Sequence, residues 1–409
     1  MLKVATYSRV GAIGGLLIAV TSVPAVAAPT AGYDGFKVGS YIHIRPALGV
    51  RVEYDDNIFR QPDNEESDVV TRISPAFDIQ IGADGGVSGL DVQYRPTFGV
   101  FQDNSDESVV NHDLDVAYGY RAARFDARVM AGFRVQNEAR GTGVSNALSD
   151  STTIVFDEPT RFHEETIGFT LGNIGRGART RLGIGYEEGD IEYQNFRDIT
   201  RARDHERRTW TADAGYRIGG ATYANVRATV AEVDFEVTPV GLPNLDSDET
   251  RIDVGFVWES TGITTSRASI GWQEKDFDDN TVGTTDQFVW DVGFSWQPTD
   301  YVTVDVSTDR RFFETNREGT AVSSQAYNLG YRVDVNDRLA TTFGVGFSVD
   351  EYQDDRREDD VARATFLVEY RFRRWLDLGG GMEFESRDSN QFGADFERNV
   401  YFVQARVGL

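Results

Sequence analysis

Sixty-six aspartates and glutamates and four histidines are the side chains in this 409-residue protein able to move protons or hold a hard cation. Acids at that density fall near one another by chance, so no pair can be singled out for the two-carboxylate work of glycoside hydrolysis. His43, His112, His163 and His205 stand apart, without the i, i+4 partner or grouped ligands that a zinc site uses. With no cysteine there is neither a thiolate ligand nor a thiol nucleophile. Gly172, Gly175 and Gly177 cluster, but no helix follows to place its N-terminus on a phosphate. Neither an enzyme nor a cofactor is therefore expected. One short motif keeps the question of chemistry open. Tyr54-Asp-Asp-Asn57 offers oxygen ligands suited to Ca²⁺ or Mg²⁺, yet lacks the glycine at the spacing of an EF-hand loop. It also recurs, as Phe101-Gln-Asp-Asn104 and Phe277-Asp-Asp-Asn280, and more loosely as Tyr193-Gln-Asn195 and Tyr352-Gln-Asp-Asp355. An aromatic ring followed by turn-forming Asx residues is what a strand looks like where it leaves a membrane. The ring suits the interface, and the Asx residues suit the water beyond it.

The elements that carry these motifs alternate in character at every second residue. Ile42, Ile44, Pro46, Leu48, Val50, Val52 and Tyr54 form one apolar row, with His43, Arg45, Ala47, Gly49, Arg51 and Glu53 between them. Phe288, Trp290, Val292, Phe294 and Trp296 form another, and Phe343, Val345, Phe347 and Val349 a third. Period two is the signature of a strand with two unlike faces. Eighteen such runs can be marked between residue 42 and the C-terminus. Each is about 13 residues long, where soluble strands are usually about 5–6 and tilted membrane strands need about 9–11. Connections alternate between tight turns, such as Gly219-Gly220 and Pro298-Thr-Asp300, and longer polar loops at 56–68, 138–160, 237–248 and 314–321. The pattern predicts an all-β fold: a transmembrane antiparallel up-and-down β-barrel of about 18 strands with an aqueous polar lumen. Pro46, Pro75 and Pro96 cannot donate a ladder hydrogen bond, so bulges or ladder breaks are expected at all three.

The beginning of the chain reads differently. Lys3 and Arg9, the apolar Gly11–Val20 and the small residues Ala25-Val-Ala27 have the order of a secretory signal peptide. The expected organisation is a signal over 1–27, a short periplasmic segment over 28–40 and an outer-membrane β-barrel over 41–409. No later stretch is long and apolar enough for a transmembrane helix. The formal charge of −25 argues against a nucleic-acid partner. An apolar row running through Tyr401, Val403, Ala405 and Val407 to Leu409 resembles the terminal signal of the barrel-assembly machinery, with leucine in place of the usual last aromatic. Outer-membrane lipid and lipopolysaccharide are the surroundings this implies, in a Gram-negative bacterium.

In a barrel of this size the polar row lines water. The candidate lumen residues are Arg45, Arg51, Arg72, Asp91, Arg95, Asp115, Arg128, Arg134, Asp213, Asp253, Asp291, Asp305, Arg363, Glu369, Arg371 and Glu383. They serve either as cross-strand ion pairs that stiffen a wet wall or as a transverse field that sorts solutes. The longest connection, 138–160, is the third on its rim and presents Glu138, Arg140, Asp150, Asp157 and Glu158. It either folds into the channel as a constriction or caps the mouth from outside.

The stretch Val50-Arg-Val-Glu-Tyr-Asp-Asp-Asn-Ile-Phe-Arg60, with Ile44-Arg-Pro-Ala-Leu-Gly-Val50 before it, resembles the opening of the putative beta-barrel porin 2 family. Ser74-Pro-Ala-Phe-Asp-Ile79 and Arg95-Pro-Thr-Phe-Gly-Val100 reinforce the likeness. The resemblance implies an outer-membrane channel, with exit of secreted exopolysaccharide or capsule as the leading function. Separate periplasmic and inner-membrane export components would then be its partners. A general diffusion porin for small hydrophilic solutes and a non-conducting structural or adhesive barrel are the alternatives.

Overall fold

The computed structural model describes residues 35–82, 86–142, 148–149, 152–153, 156–173, 178–259, 263–315 and 319–408. The expected signal peptide and residues 28–34 lie outside them. One antiparallel sheet of twenty segments closes on itself. Its staves are β1 Ile42–Asp55, β2 Asp68–Ile81, β3 Ser88–Tyr94 with Thr97–Phe101, β4 Val109–Arg121, β5 Asp126–Asn137 and β6 Arg161–Gly172. They continue with β7 Thr180–Tyr193, β8 His205–Gly219, β9 Thr222–Phe235, β10 Ser247–Glu259, β11 Thr264–Phe277 and β12 Thr284–Thr299. The last are β13 Val302–Phe313, β14 Val322–Asp334, β15 Leu339–Tyr352, β16 Glu358–Arg373, β17 Leu376–Ser389 and β18 Phe396–Gly408. Each pairs with its sequence neighbours, and β18 returns to β1 from Ala47↔Gly408 to Asp55↔Val400. A circuit across successive ladders comes back to β1 displaced by about 22 residues, a shear that tilts the strands by about 40°. The eighteen expected strands are all present. No described helix is long and apolar enough to cross a membrane.

The two faces separate as the alternation requires. Tyr54, Phe77, Trp210, Ile252, Trp272, Phe294, Phe343 and Tyr401 project outward and exposed. The alternate row carries Glu53, Arg72, Thr211, Asp253, Gln273 and Glu383 inward. Apolar atoms exposed over the whole belt cost nothing in lipid, and every interior strand finds its backbone partners within the closed sheet. Tyr186 and Trp210 pack at 4.6 Å between ring centroids, and Phe169 meets Trp210 edge-on at 6.0 Å, as part of the outer aromatic girdle.

Pro46 departs from expectation, whereas Pro75 and Pro96 lie at a ladder break as expected. Pro46 pairs in register with Phe77, and Pro75 with Leu48, without a bulge. Pro46 lies one residue before pairing with β18 begins, which removes the demand for its missing N–H on that edge. The β2–β3 ladder is interrupted between Phe77↔Tyr94 and Ile73↔Phe98, and the β3–β4 ladder between Tyr94↔Leu114 and Thr97↔Asn111, with the register unchanged across each gap. Pro75 and Pro96 face one another in the first of these gaps. Two non-donors set opposite each other share one break of the β2–β3 ladder. The register shifts that do occur fall at Arg217/Gly219, Trp296/Thr299 and Arg371/Arg373, each beside a tight turn.

The segment expected to be a periplasmic tail is partly structured. Phe36–Val38 turns back through Gly39, which sits at φ +64°, and pairs with Ile42–Ile44. That is the edge of β1 left uncovered below the end of β18. The flap gives an otherwise open strand edge a partner.

Candidate functional site: the extracellular mouth

Tight turns occupy one rim and long loops the other, so the long-loop rim is the extracellular one. The Tyr54-Asp-Asp-Asn57 motif lies there and is a clasp across the barrel seam. Asp55 accepts a fork from Arg398 of β18, Nε at 2.9 Å and Nη2 at 2.6 Å on the same carboxylate oxygen. Asp56 accepts the backbone N–H of Asn399 at 2.6 Å and its side-chain amide at 2.9 Å. Asn57, fully buried, donates to Glu397 O at 2.9 Å and Gln61 O at 2.8 Å. The carboxylates are thus engaged by cations and amides of the first and last strands. Its relatives do similar work: the backbone N–H groups of Gln102, Asp103 and Asn104 converge on the Asp68 carboxylate. Asp279 is tied by the Thr281 hydroxyl at 2.7 Å and by the N–H of Thr281 and Asn244. These bonds, led by the hydroxyl, hold its carboxyl below the usual range.

Three long loops turn inward over the lumen. The first arm starts at Glu138, whose carboxylate accepts Thr160 Oγ1 at 2.6 Å, Tyr193 OH at 2.6 Å and Arg203 Nη1 at 3.1 Å. From there Arg140 donates Nε to Glu107 at 2.8 Å and Nη1 to Phe156 O at 2.9 Å. Arg60, in the 56–67 loop, donates to Arg140 O at 3.1 Å and binds Glu385 of β17 at 3.1 Å. Burial pulls the Arg60 guanidinium down to about 10, so it stays charged at neutral pH and depends on Glu385. Arg387 of β17 then reaches Gly141 O at 3.0 Å. The 138–160 loop therefore runs inward from β5 to meet β17, six strands away around the seam. The second arm is the 194–204 loop, held by Arg203 on Glu138 and by Asp204, which accepts Tyr193 N at 2.8 Å.

The third arm comes from β13 and β14. Pairing of β12 with β13 stops at Trp290↔Arg310, although both strands continue. Above that point the β13–β14 tip leans onto the inner face of its neighbours: Phe312 N donates to Gln273 at 3.2 Å and Ser323 Oγ to Gln287 at 2.6 Å. Phe312 and Ala321 pack against Phe277 there. This delivers Glu314 to Lys275 Nζ at 2.9 Å and Arg207 Nη1 at 3.2 Å. Both cations also bind Glu249 of β10.

Of the residues expected in a constriction, Glu138 and Arg140 anchor the inward-turned arm of their loop. Asp157 and Glu158 are not: both are exposed, and Glu158 is tied to Asn195 Nδ2 at 3.1 Å at the head of β6. Asp150 lies outside the described residues. The expected lumen residues face inward, and most are joined in pairs. Arg51 binds Glu383 at 2.8 Å, Arg72 Glu53 at 2.8 Å, Arg95 Asp78 at 3.0 Å and Arg134 Asp115 at 3.3 Å. Arg251 binds Asp253 at 2.8 Å, and Arg267 binds Asp291 at 2.8 Å. Arg332 binds Glu369 at 3.1 Å, Arg363 Glu385 at 3.0 Å and Arg371 Asp377 at 3.4 Å. Arg45, Asp91, Arg128, Asp213 and Asp305 form no ion pair among the described residues, and they lie at mid-height or toward the tight-turn rim. There the inward charges are well hydrated; Arg267 is 62% exposed where Lys275, near the mouth, is 0%. The lumen is thus open and polar below, and packed with ion pairs at its mouth.

Sequence reasoning passed over Lys275, Arg207, Glu249, Glu314, Arg60, Glu107 and Arg387. One clue was present: Lys275 is the single lysine among the eighteen strands, on the inward row of β11. Arg60 and Glu314 sit in loops, where no period says which way a side chain turns.

A closed, tilted barrel with a greasy belt, a charged lumen and inward loops defines an outer-membrane β-barrel of the porin class. Residues 28–409 match the profile of the family described as "Putative beta-barrel porin 2", and the chain belongs to that family. Among curated proteins none matches it. Solved structures similar to it include the outer membrane protein OpdK of Pseudomonas aeruginosa, 12% identical with a TM-score of 0.46 over 90% of this chain and 99% of that one. OccK2 (OpdF) of Pseudomonas aeruginosa is 11% identical, with a TM-score of 0.49 over 90% and 98%. OccAB2 of Acinetobacter baumannii is 12% identical, with a TM-score of 0.48 over 91% and 99%. At these values the fold assignment rests on the ladders themselves.

Proposed function

We propose that the barrel is a passive channel for small hydrophilic solutes across the outer membrane. The supporting observation is the contrast between hydrated charges in the lower lumen and a mouth where three inward loops are anchored by buried ion pairs. A growing polysaccharide would have to displace Arg140, Arg203 and Glu314 together from their ion pairs, whereas a small solute passes beside them. Exit of exopolysaccharide has only the family resemblance behind it, and export partners in the periplasm and inner membrane are not needed for diffusion. No catalysis is proposed, because the mouth carboxylates are occupied by arginine, lysine and amide donors. Lipopolysaccharide and lipid surround the barrel, and the assembly machinery inserts it.

Protein reconstituted in planar bilayers should form stable open channels in KCl. Liposomes carrying it should swell in monosaccharide solutions far faster than in oligosaccharides of ten or more sugars. A silent barrel, or equal swelling with both solutes, would overturn the proposal.

A further inference from the structure

The geometry points to a carboxylate-binding site at the mouth, formed by Arg207 of β8 and Lys275 of β11, with Glu314 as its built-in occupant. The inference rests on the channel reading, because the ligand is a solute on its way through. Arg207, Glu249 and Lys275 belong to the wall, on β8, β10 and β11, and together carry one net positive charge. Glu314 belongs to the loop that leaves the wall, and it supplies the compensating negative charge. Its Oε1 receives Lys275 Nζ at 2.9 Å and Arg207 Nη1 at 3.2 Å, and its Oε2 receives Lys275 Nζ at 3.1 Å.

Burial makes this arrangement consequential. An ammonium with no exposed surface is costly unless it is paired and hydrogen-bonded. Glu249 alone meets part of that need, with one oxygen on each cation. The remaining donors converge on the position filled by the Glu314 carboxylate. Whenever that side chain withdraws, the donor geometry and the charge remain in the wall, and a carboxylate of a solute satisfies both. An uncharged hydroxylated solute satisfies neither the charge nor the paired donors. Selection would thus act by exchange: the tethered acid yields to a free one of the same chemistry. Because a tethered group competes at high effective concentration, the site binds weakly while Glu314 is intact.

The test uses the full protein in detergent, titrated calorimetrically with sodium gluconate and, separately, with sorbitol, its uncharged counterpart. Glu314→Gln keeps the shape and removes the charge, and it should bind gluconate at least about tenfold more tightly than the parent. Glu314→Ala should give the same gain. Adding Lys275→Met to Glu314→Gln should abolish the gain, and sorbitol should bind to none. Migration of unheated samples on detergent gels identifies the folded barrels, and two independent replacements of a loop residue guard against loss of either. No gain in gluconate affinity in a folded Glu314 variant, or an equal gain with sorbitol, overturns the inference. Conductance in KCl is read on the same preparations: a silent barrel that gains gluconate affinity sinks the channel reading alone. A conducting barrel without the gain sinks this site alone.

Discussion

Arg398→Ala is expected to destabilise the barrel by about 3 kcal/mol, because breaking a buried ion pair leaves the surviving charge stranded. The stranded group is Asp55, nearly inaccessible to water and left with the Asn57 N–H at 3.1 Å as its remaining partner in the clasp. The fork it loses joins residues at opposite ends of the chain, where β1 and β18 are held by nine paired positions. Arg398→Lys should recover part of the loss, since an ammonium keeps the charge without the two-pronged geometry. Urea titration of the lipid-reconstituted barrel, followed by gel migration without heating, measures both variants. Parent-like midpoints for Arg398→Ala would mean that the seam is held by its backbone ladder alone.

Arg140→Ala is expected to raise single-channel conductance severalfold. Arg140 gathers three segments: it forks onto Glu107 of the 102–108 loop, donates to Phe156 O, and through its own carbonyl receives Arg60. Without its side chain the 138–160 loop loses its hold on Glu107 and its internal tie to Phe156 O, keeping at that residue only the backbone bond to Arg60, and the arm that reaches Arg387 is freer to move off the mouth. The barrel itself should be little affected, because its ladders do not include these residues. Liposome swelling should show the same direction, with larger sugars newly admitted. Unchanged conductance and an unchanged size limit would show that this arm does not set the narrowest point.

The staves were legible because a strand in a barrel wall meets lipid on one side and water on the other. That alternation forced Phe288, Trp290, Val292, Phe294 and Trp296 into one row and predicted β12 within a few residues. Among the prolines Pro46 alone was misjudged, because only pairing register reveals that β18 stops one residue short of it. That Pro75 and Pro96 share one gap of the β2–β3 ladder was equally invisible in the sequence. The mouth was less legible still. Asp55 and Arg398 are separated by 343 positions, and Arg140 meets Arg60 at a separation of 80. Local periodicity says which face a residue occupies and nothing about which distant residue comes to meet it. Glu138 and Arg140 were singled out through loop length alone, and the Lys275 cluster left only its lone strand lysine as a clue.

The flap at Phe36–Val38 makes one corner of the cylinder unlike the rest. Every other seam is fastened over most of its height, but here three residues guard the bare lower portion of β1. Local opening free energies fall where few bonds must break at once. Amide protons of Ile42 to Ile44 on that side should therefore trade with deuterated solvent well before those of mid-wall strands, leaving a soft spot in an otherwise rigid hoop.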